Sequence, residues 1–133
     1  MTPVFLDTIG MIAVWDAADQ WHAAAEAAFL RIRQLRRPLM TTTFVLAECG
    51  NASARHTYHQ DVCDLRDQLE HAGDLIIPTD EDWDAAWFAY ERGEAAQAGI
   101  VDHLSFAVMR RLGLTEAFTN DRHFQAAGFV PLF

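Results

Sequence analysis

Short, mostly apolar runs alternate along this chain with longer stretches whose apolar positions recur every three or four residues. Runs at residues 3–6, 39–41, 75–77, 117–119 and 129–131 have the length and composition of buried strands. Between them, Trp21, Ala25, Ala28, Ile32 and Leu35 keep helical spacing, as do Tyr58, Val62, Leu65, Leu69 and Ala72, with Gly73 placed to end the second helix. Thr79 ahead of Asp80-Glu81-Asp82 predicts a capped, acid-rich start to a further helix. Its Trp83, Trp87 and Tyr90 share one side, a spacing expected of a core or subunit-facing stripe. Strands alternating with helices predict an α/β fold with a central, mostly parallel sheet and helices on both faces. No linker, repeat or low-complexity tract interrupts the pattern, so residues 1–133 are expected to form a single domain.

The polar positions that end these runs carry the chemistry. Asp7 closes Val4-Phe5-Leu6 and is followed by Thr8, and Asp121 follows Ala117-Phe118-Thr119. Both mark strand carboxyl ends, the edge where open parallel sheets bind ligands. Asp102 lies between Ile100-Val101 and a hydrophobic helical run, where an N-cap or first-turn acid is expected. Glu48 sits among Val45, Leu46, Ala47 and Cys49, in what reads as the first turns of a buried helix following Thr41 to Thr43. An ionised carboxylate there requires a partner: a cation, a proton, or an arginine such as Arg55 or Arg66. Singly, Asp7, Asp102 and Asp121 are explained as helix caps. Jointly, four acids at one sheet edge point to a shared divalent cation.

Composition narrows the choices. The 133 residues, 51% of them hydrophobic, suffice for one well-buried core. No apolar run is long enough to span a bilayer, and the first residues lack a basic segment ahead of an apolar one, so a cytoplasmic protein is expected. Cys49 and Cys63 lack zinc-site spacing and are expected to be reduced core thiols. The net charge of −9 opposes nonspecific binding to a phosphate backbone, although a cation held by clustered acids reverses the local sign. Every basic residue is arginine, densest at Arg31, Arg33, Arg36 and Arg37. These four are candidates for RNA phosphate contacts, or simply the solvated end of a helix. His103 and His123, beside proposed site acids, are candidates for supporting roles. A lysine-dependent phosphotransfer site, a P-loop and a dinucleotide-binding glycine motif are all absent.

The order Asp102-His103-Leu104-Ser105, then Thr119-Asn120-Asp121-Arg122-His123-Phe124, then Gly128-Phe129 resembles the PIN-domain nucleases. The likeness is to the VapC-type toxin ribonucleases of bacterial toxin–antitoxin pairs in particular. Phe5-Leu6-Asp7-Thr8 and Glu48 with Asn51 are consistent with it. One departure is Val101, at a place where such proteins often carry a hydroxyl. The resemblance implies a single PIN-like domain and an endoribonuclease whose Asp7, Glu48, Asp102 and Asp121 hold Mg²⁺, with Mn²⁺ able to substitute. Thr8, Ser105 and Thr119 are expected to orient carboxylates or waters. In-line hydrolysis at such a site leaves a 5′-phosphate and makes no use of the RNA 2′-hydroxyl. A silencing antitoxin and homodimerisation are implied as well. The alternative is a noncatalytic PIN-like module that binds RNA or protein and keeps its acids as caps and salt bridges.

Overall fold

The computed structural model describes residues 2–133. Strands β1 (Val4–Leu6), β2 (Leu39–Thr42), β3 (Leu75–Ile76), β4 (Glu116–Phe118) and β5 (Val130–Pro131) form one sheet in the order β3-β2-β1-β4-β5. Every pairing is parallel, with Phe5 opposite Met40 on one side and Ala117 on the other. Val4, Phe5 and Leu6 have no solvent exposure, as expected of a central parallel strand covered on both sides.

The connections fix where the helices go. From β1 the chain passes through α1 (Thr8–Trp15) and α2 (His22–Gln34) to β2, then through α3 (Thr43–Ser53) and α4 (His59–Ala72) to β3. It next crosses back through α5 (Asp80–Glu91), α6 (Glu94–Gln97) and α7 (Ile100–Leu112) to β4, and α8 (Arg122–Ala126) leads to β5. Right-handed crossovers running in opposite directions from β1 place the two helix groups on opposite faces. Strand order therefore reverses between β1 and β4, the topological switch point where such sheets bind ligands.

The helices begin and end where local chemistry directs. Thr42 caps α3 by accepting from the Val45 amide at 3.1 Å, and Thr79 and Asp82 form a reciprocal capping box on α5. Gly73 and Gly113 end α4 and α7 in left-handed conformation. In α6 the non-glycine residues Ala95, Ala96 and Gln97 are also left-handed, with φ of 53°, 56° and 61°, at a cost of about 1–2 kcal/mol per residue.

Several expectations about faces are corrected. The α5 residues packed inward are Asp82, Ala86 and Ala89, whereas Trp87 and Tyr90 are about half exposed and Trp83 is only partly buried. The aromatic stripe is thus not core, because small alanines let α5 approach α7 closely. Asp82 can be buried because Arg111 forks onto it, the closest contact being 2.7 Å. Trp21 and Leu35, at the ends of the α2 stripe, are exposed while Ala25 and Ile32 are buried. Of the two free cysteines, Cys49 is buried as expected and Cys63 is exposed.

Gly10 holds α1 against β4. A Cβ there would lie 2.1 Å from the Phe118 carbonyl oxygen and 2.7 Å from its ring, so no side chain fits without moving a buried strand. Gly10→Ala is expected to destabilise the protein by about 2–3 kcal/mol, lowering its melting temperature by roughly 10 °C. A melt unchanged within a degree or two would show that α1 shifts freely.

Candidate active site

Asp7 leaves β1 at the switch point, 4% exposed. It occupies the N-cap position of α1 without making a side-chain cap, so the capping explanation does not account for it. Its Oδ2 instead accepts the Thr119 hydroxyl at 2.8 Å, across the sheet from the end of β4. The same Thr119 oxygen accepts the Asp121 amide at 3.0 Å. One buried hydroxyl thus ties Asp7 to the segment carrying Asp121. Asp121 does cap α8, its Oδ1 accepting the His123 amide at 2.9 Å, which leaves further carboxylate lone pairs for other partners.

Asp102 stands in the first turn of α7, partly buried; Gly99, not Asp102, is the N-cap. Ser105 is buried one turn further along the helix. Glu48 is corrected most. It lies on the exposed side of α3, while Val45, Leu46 and Cys49 face the core, and it accepts the Thr8 hydroxyl at 2.9 Å rather than an arginine. Arg66, one of the partners considered, pairs with Glu70.

Two of these acids are raised well above the ordinary carboxylate value. Burial pushes the Asp7 carboxyl up to about 7; the Thr119 hydrogen bond opposes this and the charges of Asp102 and Asp121 add to it. Asp102 is pushed up to about 6, first by burial, then by Asp121 and Glu48, with His123 pulling the other way. Burial likewise lifts the Cys49 thiol to about 12, which removes it as a nucleophile or ligand at neutral pH.

Among the described residues, no three His, Cys, Asp or Glu side chains already close into a coordination cluster. The donors are nonetheless the hard oxygens that divalent cations such as Mg²⁺ or Mn²⁺ take. Burial, with the charges of neighbouring acids, holds two of them part-protonated near neutral pH. A divalent cation would supply positive charge and displace their protons.

The arginine cluster lies elsewhere. Arg37 donates to the Thr2 carbonyl at 2.9 Å and forks onto Glu116 at 3.0 and 3.2 Å, at the amino ends of β1 and β4. Five residues of extended chain from Thr2 to Asp7 span roughly 16 Å. Arg31, Arg33, Arg36 and Arg37 therefore do not line the carboxylate edge. Arg33, Arg36 and Arg37 instead border a cavity of about 270 Å³ with Gln68 and Asp74. Two features near the site have no signal in the sequence: the left-handed turn in α6 and the bond from the His123 ring to it, Nδ1 lying 3.1 Å from the Ala95 carbonyl oxygen.

Comparison with known proteins follows the same outline. The family model for the PIN domain matches residues 4–130. Over 131 residues, 97% of each chain, the sequence is 31% identical to the 23S rRNA-specific endonuclease VapC20 of Mycobacterium tuberculosis, in two strains. The crystal structure of VapC20, described as a sarcin-ricin loop cleaving toxin, matches with a TM-score of 0.76 over 96% of both chains at 28% identity. FitAcB from Neisseria gonorrhoeae matches at a TM-score of 0.61 and 16% identity, over 98% of this chain and 96% of that one, a likeness of fold.

Proposed function

From the premise that this chain belongs to the PIN domain family, we propose that it is a divalent-metal-dependent endoribonuclease, the toxin of a toxin–antitoxin pair. The observation that carries the reading is the hydrogen-bonded link from buried Asp7 through Thr119 to the Asp121 segment at the β1/β4 switch point, where Asp7 feels the charges of Asp102 and Asp121, and Asp102 those of Asp121 and Glu48.

Asp7 and Asp102 are the direct ligands of Mg²⁺ or Mn²⁺ in this reading. Glu48, at the exposed rim, positions a water, and Asp121 supports the site from behind Thr119. Thr119 keeps the Asp7 carboxylate turned by its 2.8 Å bond, Thr8 does the same for Glu48, and Ser105 lies buried one turn along α7 from Asp102. When bound, the metal makes a water nucleophilic near neutral pH and offsets charge on the phosphate. The substrate is structured RNA of the ribosomal class on which the VapC20 relative is named to act. A cognate antitoxin would silence the acidic edge, an arginine in place of metal meeting matching charge. The half-exposed Trp87 and Tyr90, with Phe88 beside them, suit a homodimer contact. No helix among the described residues is long and apolar enough to cross a membrane, which fits a cytoplasmic toxin.

Incubation of the purified, antitoxin-free protein with ribosomal RNA and Mg²⁺ is expected to give discrete fragments with 5′-phosphate ends, and none in EDTA. Fragments ending in 2′,3′-cyclic phosphate, or cleavage indifferent to EDTA, would overturn the mechanism. No cleavage at all, with Mn²⁺ failing to bind, would favour a noncatalytic binding module.

The amino-edge arginines then serve as remote phosphate contacts. Converting Arg33 and Arg36 to glutamate is expected to weaken RNA binding and flatten its salt dependence, leaving Mn²⁺ affinity unchanged. Unaltered binding and salt slope would remove these residues from the RNA path.

A further inference from the structure

We infer that His123 is a positioning residue, holding the left-handed turn of α6 so that Asp102 is presented to Asp7 and Asp121; the inference rests on the metal-site reading above. The Ala95 carbonyl can only accept, so the ring nitrogen facing it at 3.1 Å, Nδ1, carries the proton. The backbone amide of the same residue donates to Asp121 at 2.9 Å. His123 is therefore fastened at one end to a site acid and at the other to the turn that launches α7.

That turn needs a fastening. Ala95, Ala96 and Gln97 all have φ between 53° and 61°, a conformation costly for side chains that gain nothing from it. Alanine pairs favour a right-handed helix, so the segment has an accessible alternative. The bonds within the turn, Gln97 amide to Gly93 carbonyl and Ala98 amide to Glu94 carbonyl, are long at 3.2 and 3.4 Å. Burial of Ala98 and the packing of Ala95 against the core add to the hold.

The chain then passes through Gly99 into α7, with Asp102 in its first turn. A change of hand at residues 95–97 would redirect the start of α7 and carry Asp102 with it. Hydrogen bonds thus join Asp7 to Thr119, Thr119 to Asp121, Asp121 to His123 and His123 to the turn before Asp102.

Two substitutions separate this role from bulk packing. Asparagine places an N–H donor on the atom bonded to Cγ, where Nδ1 stands; leucine has the bulk and no donor. His123→Leu is expected to speed hydrogen exchange at the bonded amides of Gln97, Ala98 and His103 at least tenfold in the metal-free protein. It is also expected to weaken Mn²⁺ binding by about 10–100-fold, as losing a residue that orients metal ligands does. His123→Asn should keep both within about threefold of wild type. Should the leucine variant not fold, His123→Gln takes its place, since its amide reaches the Nε2 position instead.

Exchange unchanged in the donor-free variant, or an asparagine variant as impaired as leucine, would overturn the inference. Failure of the wild type itself to bind Mn²⁺ would instead overturn the metal-site reading, and the exchange rates would still test the fastening.

Discussion

Asp102→Asn is expected to reduce RNA cleavage by about a thousandfold or more, while the metal-free protein melts at the wild-type temperature or a few degrees above it. The two halves of this result have one cause. Asp102 is held up at about 6 by burial and by the charges of Asp121 and Glu48, so at pH 8 its ionised form is an unfavourable component of the metal-free fold. The amide keeps the shape and removes the repulsion, together with the charge a divalent cation requires. Cleavage rates and thermal melts on the same preparations check it. A variant that loses activity because it unfolds, or that cleaves at the wild-type rate, would contradict this assignment.

The second large effect is on pH. Asp7, at about 7, and Asp102, at about 6, must both lose their protons before they can hold a cation. Mn²⁺ affinity is therefore expected to rise by about 100-fold per pH unit below 6, by about tenfold between 6 and 7, and to level off above 7. Stability of the metal-free protein runs the other way. At Asp7 the folded state holds more of the proton than the unfolded chain between the ordinary carboxylate value of 3.8 and about 7. The contribution of Asp7 to stability is consequently greatest below that window, falls as pH rises through it and stays reduced above it. Asp7→Asn removes this burden, so it should melt well above the wild type at pH 8, with the gap closing toward pH 4. A gap that did not vary with pH would mean that Asp7 is ionised throughout.

Much of the architecture was legible because a parallel sheet covered on both faces demands uninterrupted apolar strands, and this chain has five short ones. Each appears within a residue of its expected place. Asp7 and Asp121 were legible for the same reason, as the first acids beyond such runs. Glu48 was misjudged because its apolar neighbours in sequence lie on the other side of α3: four consecutive residues of a helix point all round it, and only the longer period shows which face is inside. For the Trp83, Trp87 and Tyr90 stripe, expected to be core or subunit-facing, only the core reading fails, because the close approach of α5 to α7 is made by Ala86 and Ala89.

The place of the arginines was derivable in principle. A chain entering a parallel strand does so at the amino edge, and Arg36-Arg37-Pro38 immediately precede β2. The left-handed turn at Ala95 to Gln97 was not derivable, because alanine has the strongest right-handed helix preference of any residue and nothing local opposes it. Its conformation is imposed by tertiary contacts, those of His123 among them.

The most direct test of the account is Mn²⁺ binding followed by water-proton relaxation on the purified, antitoxin-free protein at pH 7.5, wild type beside Asp102→Asn. Saturable binding by the wild type that the substitution removes is the predicted result. Binding that ignores Asp102, or none in either protein, would contradict a metal centre shared among Asp7, Glu48, Asp102 and Asp121.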